Sequence, residues 1–363
     1  MPNGTNLDIT PTLSQSTPAI GAKSQPAGSG CSASTSKQSF DLNGNIASRD
    51  DFNESRMCSE SDLSRNLETT RVEGLSITEA CSGVTAANAA LPAGSRKVST
   101  VWHPDWRLVA RVAEPGRFIA SVYDGQPDPF AGNVIASCAP ADAVLPDGKR
   151  IAVLCKTVEQ ATTDTDGHLG FSAALENGIA NRVSTWTYNA LGQTRTAKGP
   201  RTDVNDTTVY VYYADTTADH TLGDLQSVTN AVGKVTSYAK YNKVGQVLES
   251  TDPNGVVTVN TYDLRQRLLS TSVGGQTTTS TYDAVGQLLK VTAPDGSWIG
   301  YEYDAAHRQV AVKDSLGNRI ESTLDNAGNK IAENVKDPAG SLKRILVRSI
   351  DALGRVQQTT GRE

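Results

Sequence analysis

The chain has 363 residues, of which 37% are hydrophobic and only 6% aromatic, thin material for one compact core. Its 34 basic and 39 acidic side chains leave a net charge of −5 with the signs interspersed. That pattern offers no basic stripe to a nucleic acid, and no run of 18 apolar residues or basic-then-apolar leader reads as a membrane helix or signal peptide.

Residues 1–39 are rich in Ser, Thr, Pro, Gly and Gln, as in Ala27-Gly-Ser-Gly30, and hold few large apolar side chains. Such a stretch cannot bury enough surface to offset its chain entropy, so a disordered lead-in is expected there. Residues 40–185 carry worn copies of a short unit. Phe40-Asp41-Leu-Asn-Gly44-Asn is one, Ser61-Asp62 follows 21 residues later, and Trp102-His103 precedes Tyr123-Asp124 by 21. Residues 75–100 and 130–180 keep no signature.

From residue 186 the unit is clear. Tyr188-Asn-Ala-Leu-Gly192-Gln is a clean copy, and Tyr241-Asn-Lys-Val-Gly245 another. Tyr262-Asp263, Tyr282-Asp283 and Tyr303-Asp304 follow at steps of 21, 20 and 21 residues. Leu324-Asp325 and Ile350-Asp351 continue the series without the aromatic ring. Gly286, Gly328 and Gly354 each stand three residues after the Asp. The longer steps from Tyr188 to Tyr213 and on to Tyr241 are read as loop insertions, which cost little. All eleven Tyr lie between 123 and 303. Between the signatures come short β-prone runs such as Gln287-Leu-Leu-Lys-Val-Thr292, then a second turn such as Ala293-Pro-Asp-Gly296. The grammar is strand, turn, strand, turn: a β-hairpin per repeat. Fixed self-similarity at this period marks one small unit that must stack on its neighbours, and roughly twelve to fifteen units fit. The expected architecture is therefore all-β, a solenoid strip of stacked hairpins, with the Tyr side chains aligned on one face.

The residues that could carry chemistry are sparse. His103, His168, His220 and His307 are isolated, with no second ligand at strand or helix spacing, and His307 stands where other units have Gly. No G-x-S-x-G elbow, phosphate loop or H-E-x-x-H is present. The recurrent Asp residues read as turn caps that accept backbone N–H groups. Asp164-Thr-Asp166-Gly167 matches part of a calcium loop whose remaining positions are missing. Cys31, Cys58, Cys81, Cys138 and Cys155 are odd in number and widely spaced, so buried free thiols are expected, with a Cys138–Cys155 pair across a hairpin as the alternative. No cofactor, metal or catalytic residue is assigned, and a non-enzymatic role follows.

Tyr282-Asp-Ala-Val-Gly-Gln-Leu and Tyr188-Asn-Ala-Leu-Gly-Gln resemble the YD repeat of the Rhs family, as do Ser64-Arg-Asn-Leu-Glu-Thr, Trp102-His-Pro and Glu114-Pro-Gly-Arg more loosely. The resemblance covers roughly residues 40–363 and is most specific after 186. It implies a β-strip that winds into a hollow shell, similar to teneurins and to the C component of insecticidal toxin complexes. In bacterial members the shell precedes and encapsulates a variable C-terminal toxin, used in bacterial competition. The implied partners are that passenger toxin and secretion-machine components, with a secreted or cell-surface location. The alternative is an adhesion module that recognises carbohydrate or a surface protein. Family members that release a toxin end the shell at an Asp-Pro-x-Gly-Leu boundary. Here Asp252-Pro-Asn-Gly255 and Asp337-Pro-Ala-Gly340 lack the Leu and occupy mid-repeat turns, so the resemblance implies a truncated fragment that carries no toxin and does not cleave itself.

Overall fold

The computed structural model describes residues 8–14, 17–25, 34–351 and 354–362, and it divides into two units, described in turn. The first comprises residues 1–209 with 230–232, the second 210–229 with 233–363.

In the first unit the strands of the main sheet follow one another antiparallel in chain order, and the short pair Pro127–Asp128 with Val134–Ile135 forms a separate two-stranded sheet. Ser34–Phe40 pairs with Ile46–Asp50, then Ser55–Asp62, Leu67–Ser76, Arg96–Trp102, Val109–Glu114 and Arg117–Tyr123 follow in order. Leu154–Ala161 joins Arg117–Tyr123, and Arg182–Tyr188, Thr194–Lys198 and residues 207–209 continue the meander. Alternation sets the buried face: in Arg117–Tyr123, Phe118, Ala120 and Val122 point inward at every second position. Two segments without repeat signature fold back onto the sheet. Residues 77–95 bring Val84 against Cys58, Val72 and Leu75, and residues 162–175 bring Ala173 against Ala113 and Phe118. The only helices among the described residues lie in these segments, Cys81–Val84 and the 3-10 turn Gly170–Ser172.

Two expectations fail here. Four of the five cysteines are not free thiols: Cys58 bonds Cys81, and Cys138 bonds Cys155, the pair held as the alternative. The first pair is invisible to spacing because residues 77–95 must first fold onto strand Ser55–Asp62. Cys31 lies outside the described residues. Within the expected disordered lead-in, Asp8–Ser14 pairs with Thr17–Gln25, which pairs with Ser34–Phe40. The physical reason is that ladder bonds are made by the backbone, so a sheet edge can take on a segment with little apolar content; Pro11, which has no N–H, sits where the register shifts.

The second unit is a plainer meander. Thirteen strands from Leu225–Thr229 to Val356–Arg362 follow in chain order, each antiparallel to the last. Its described residues include only three buried ones, Tyr241, Gly300 and Ala311. A single layer with so little core depends on ladder hydrogen bonds and cross-strand pairs rather than on apolar burial. The registers set Tyr238, Tyr241, Tyr262, Tyr282, Tyr301 and Tyr303 on one face. They set Lys240, Glu249, Lys290, Glu302, Lys313 and Arg319 on the other.

Candidate functional site

The repeated signature is the chain's most chemically dense feature, and each of its members has a local task. At Asp263 the backbone makes a tight loop: Asp263 N–H donates to Arg267 O, and Gln266 N–H to Asp263 O, both at 3.0 Å. The Asp263 carboxylate accepts the N–H groups of Arg265 (2.8 Å) and Arg267 (3.0 Å), and the Arg267 guanidinium closes on its second oxygen at 2.7 Å. The residue three after the Asp has positive φ, 67° at Gln266 and 107° at Gly286. That left-handed position explains the recurring Gly, since it suits a residue without a Cβ. His307 adopts it as well, at 64°, and its ring bonds Gln287 Oε1 at 3.1 Å. The same carboxylate-to-amide bonds recur at Asp283, Asp304, Asp325 and Asp351, and the amide oxygens of Asn189 and Asn242 substitute in the turns that end at Gly192 and Gly245. These bonds favour the charged form: the Arg267 amide, above all, holds the Asp263 carboxyl below its usual range, and the Arg308 side chain does so at Asp304.

Successive turns are tied together by the residue after the Gly. Arg308 Nη1 reaches Asp325 O at 2.7 Å, Gln287 Nε2 reaches His307 O at 2.9 Å, and Gln246 Nε2 reaches Gln266 O at 3.1 Å. The spacing of the signature does not disclose this role, although Gln, Arg or Asn stands at that place in every clear copy.

The tyrosines form a second tie. Tyr282 Oη donates to Leu268 O at 3.0 Å, Tyr303 Oη to Leu288 O at 2.9 Å, and Tyr262 Oη to Val247 O at 3.5 Å. Leu268 is the cross-strand partner of Tyr262, Leu288 that of Tyr282, and Val247 that of Tyr241. Each hydroxyl therefore bonds the carbonyl opposite the preceding tyrosine, beside a bulge in the ladder. The Arg267 guanidinium lies 4.6 Å over the Tyr282 ring, and burial pushes the Tyr241 phenol up to about 12.

The first unit obeys the same rule at irregular sequence spacing. Tyr188 Oη donates to Leu154 O, whose partner is Tyr123; Tyr123 Oη donates to Val109 O, whose partner is Trp102. Trp102 continues the series through its indole N–H to Glu68 O at 2.7 Å. His103 does the work of the Asp: its Nδ1 accepts the N–H groups of Asp105 and Trp106. Burial of the ring lowers its pKa, which keeps Nδ1 free to accept. Asp124 departs from the pattern. Its buried carboxylate accepts the Cys138 and Ala139 N–H groups and pairs with Arg150 at 2.5 Å, anchoring the segment closed by the Cys138–Cys155 bond.

Among the described residues, two clusters have metal-like composition. Asp124, Cys138 and Cys155 come together, but both sulfurs are in the disulfide. Asp164, Asp166 and His168 also converge, and they are spent on each other and on the loop: His168 Nδ1 lies 2.6 Å from Asp166, while Asp164 accepts the N–H groups of Gly167 and Leu169. The two Asp-Pro turns are built like the others. Asp252 accepts the Asn254 and Val256 N–H groups, and Asp337 that of Ser341.

The family description "RHS Repeat" matches residues 220–257, 241–278, 262–297 and 282–319. The last three matches begin on Tyr241, Tyr262 and Tyr282, the rungs of the hydroxyl ladder. Residues 220–319 are thus RHS repeats. Among solved structures it is similar to a chain in a crystal structure of TcdB2-TccC3-TEV, at 12% identity and a TM-score of 0.57, over 93% of this chain and 16% of that one. Looser matches include TcdB2-TccC3 without its hypervariable C-terminal region (13% identity, TM-score 0.48, 94% and 20% of the two chains) and a Photorhabdus luminescens Tc holotoxin pore (11%, 0.49, 92% and 19%). The first likeness shows the fold: an RHS-type β-strip. This chain spans about a sixth of that relative's length. No curated protein matches its sequence.

Proposed function

We propose that this chain is a non-enzymatic wall segment of an RHS-type shell that shields a passenger polypeptide, a toxin delivered to competing cells, outside the cell that makes it. One observation carries the reading: the polar groups of the signature are consumed in holding repeat to repeat. Asp263, Asp304 and Asp325 are capped by amides and by the side chain four residues on, and the Tyr hydroxyls are bound to carbonyls. A hydroxyl or carboxylate so engaged is a poor nucleophile or base, and an excellent rivet. The solved relative named for a TcdB2-TccC3 complex supports a shell context, and the two disulfides suit an oxidising compartment.

The test is limited proteolysis of the protein expressed together with the coding sequence that follows it in the genome. The downstream polypeptide should resist protease until the RHS-repeat wall is denatured. Cleavage as fast as that of the same polypeptide expressed alone would refute the shielding role.

A further inference from the structure

In the first unit one repeat turn is capped by a histidine. Trp102-His103 stands where other units carry Tyr-Asp. His103 N–H donates to Leu108 O at 2.7 Å, and its Nδ1 accepts the N–H groups of Asp105 at 3.1 Å and Trp106 at 3.2 Å. The residue is only 3% exposed, and its ring stands edge-on to Tyr123 with centroids 5.5 Å apart. This turn is also a joint. Arg65, from the turn that links Ser55–Asp62 to Leu67–Ser76, donates Nη1 to His103 O at 2.7 Å and Nη2 to Trp106 O at 2.9 Å. Arg107 Nη2 returns to Arg65 O at 3.2 Å.

An imidazole nitrogen that accepts carries no proton. A proton on His103 Nδ1 would set an N–H against two N–H groups, so the turn cannot keep its cap and take up the proton. The other histidines face oxygens. His168 Nδ1 lies against Asp166 and Asp164, His220 Nε2 against Asp215, and His307 Nδ1 against Gln287 Oε1, and a protonated ring can donate to each of these. The charged groups that face His103 are Arg65 from the neighbouring turn and Asp105 from its own, while strand Arg117–Tyr123 presents the neutral Tyr123 ring. Burial lowers the pKa of His103; Arg65 adds to that and Asp105 opposes it. The neighbouring turn resists acid. Asp62 accepts the Ser64 hydroxyl and N–H, and the hydroxyl, above all, holds its carboxyl below the usual range.

We propose that the turn from His103 to Leu108 is an acid-sensitive joint: proton uptake by His103 opens the turn and releases its ties to Arg65. The opened ring has the ordinary value of 6.5 and the closed ring a lower one, so the closed turn is at full strength above about pH 6.5 and weakens as pH falls. For a ring that stays neutral while closed, the opening constant rises about thirtyfold from about pH 7.5 to about pH 5. Tyr123 Oη bonds Val109 O just beyond the turn, so the loosening reaches the hydroxyl ladder of the first unit. The joint lies outside the matched RHS repeats and stands independently of the shell reading.

The experiment is hydrogen exchange on the full chain from about pH 7.5 to about pH 5, expressed as protection factors so that the intrinsic pH dependence of exchange drops out. Protection of the Asp105 and Trp106 amides should fall by at least about tenfold. The Leu191 and Gln193 amides, capped by Asn189 in the same unit, should keep theirs. His103→Asn supplies a neutral acceptor like those at Asn189 and Asn242, and it should abolish the pH dependence. If that variant does not fold, NMR titration of the histidine rings in the wild type decides: His103 should titrate lowest of the four, in step with the loss of protection. Unchanged protection of Asp105 and Trp106, an equal loss at Leu191 and Gln193 or in His103→Asn, or a His103 ring that titrates at or above its ordinary value would each overturn the proposal.

Discussion

Replacing Tyr282 with Phe isolates one rung of the hydroxyl ladder. The ring keeps its place under the Arg267 guanidinium, 4.6 Å away, and only the hydroxyl donated to Leu268 O at 3.0 Å is lost. A net intramolecular hydrogen bond is worth about 1 kcal/mol, and the half-buried carbonyl left behind can still find water, so the loss should sit near that value rather than above it. A local change of about 1 kcal/mol lowers hydrogen-exchange protection roughly fivefold. The amides to watch are those of Leu268–Val273 and Gln276–Tyr282, the two strands that the hydroxyl bridges. Tyr301 is the internal control: it shares the face, yet its hydroxyl has no hydrogen bond among the described residues, so Tyr301→Phe should change protection little. Equal effects of the two substitutions, or unchanged protection in Tyr282→Phe, would show that the rings act by packing alone and that the ladder has been misread.

Other outcomes can be checked alongside. Cys138→Ser with Cys155→Ser opens a loop with a sequence separation of 17 and should cost about 3 kcal/mol in urea unfolding of the first unit; reductant should cost the wild type more, because it opens Cys58–Cys81 as well. Glu302 is held at about 2, first by the Arg319 guanidinium that grips both its oxygens, against an ordinary value of 4.5. Because the folded value is the lower one, this stabilisation is complete above about pH 4.5 and fades as pH falls towards about 2; Glu302→Gln should flatten acid unfolding within that window, and a curve unchanged there counts against the pair. Asp252→Asn and Asp337→Asn should leave the mass of the expressed chain as it is, since both carboxylates cap turns; wild-type fragments that end at either Asp and vanish in the variants would place self-cleavage in this chain.

Sequence alone determined the repeat because its chemistry is local. A turn from Tyr282 to Gln287 is specified by residues in hydrogen-bonding reach of one carboxylate, so the Asp and the left-handed Gly are legible wherever they occur. His307 and Gln266 at the Gly position, and His103 at the Asp position, show that the turn accepts any side chain whose atoms meet the same demand. The all-β class and the single tyrosine face followed from the same period. What only the tertiary structure decided is non-local. Tyr188 bonds the carbonyl opposite Tyr123 although 65 residues separate the two, because residues 124–153 loop out and the ladder closes behind them. The Cys58–Cys81 bond and the burial of Lys97 depend on segments that carry no repeat and no periodic signal. Their positions are set by what they cover on the sheet, and that contact appears only once the strands have paired.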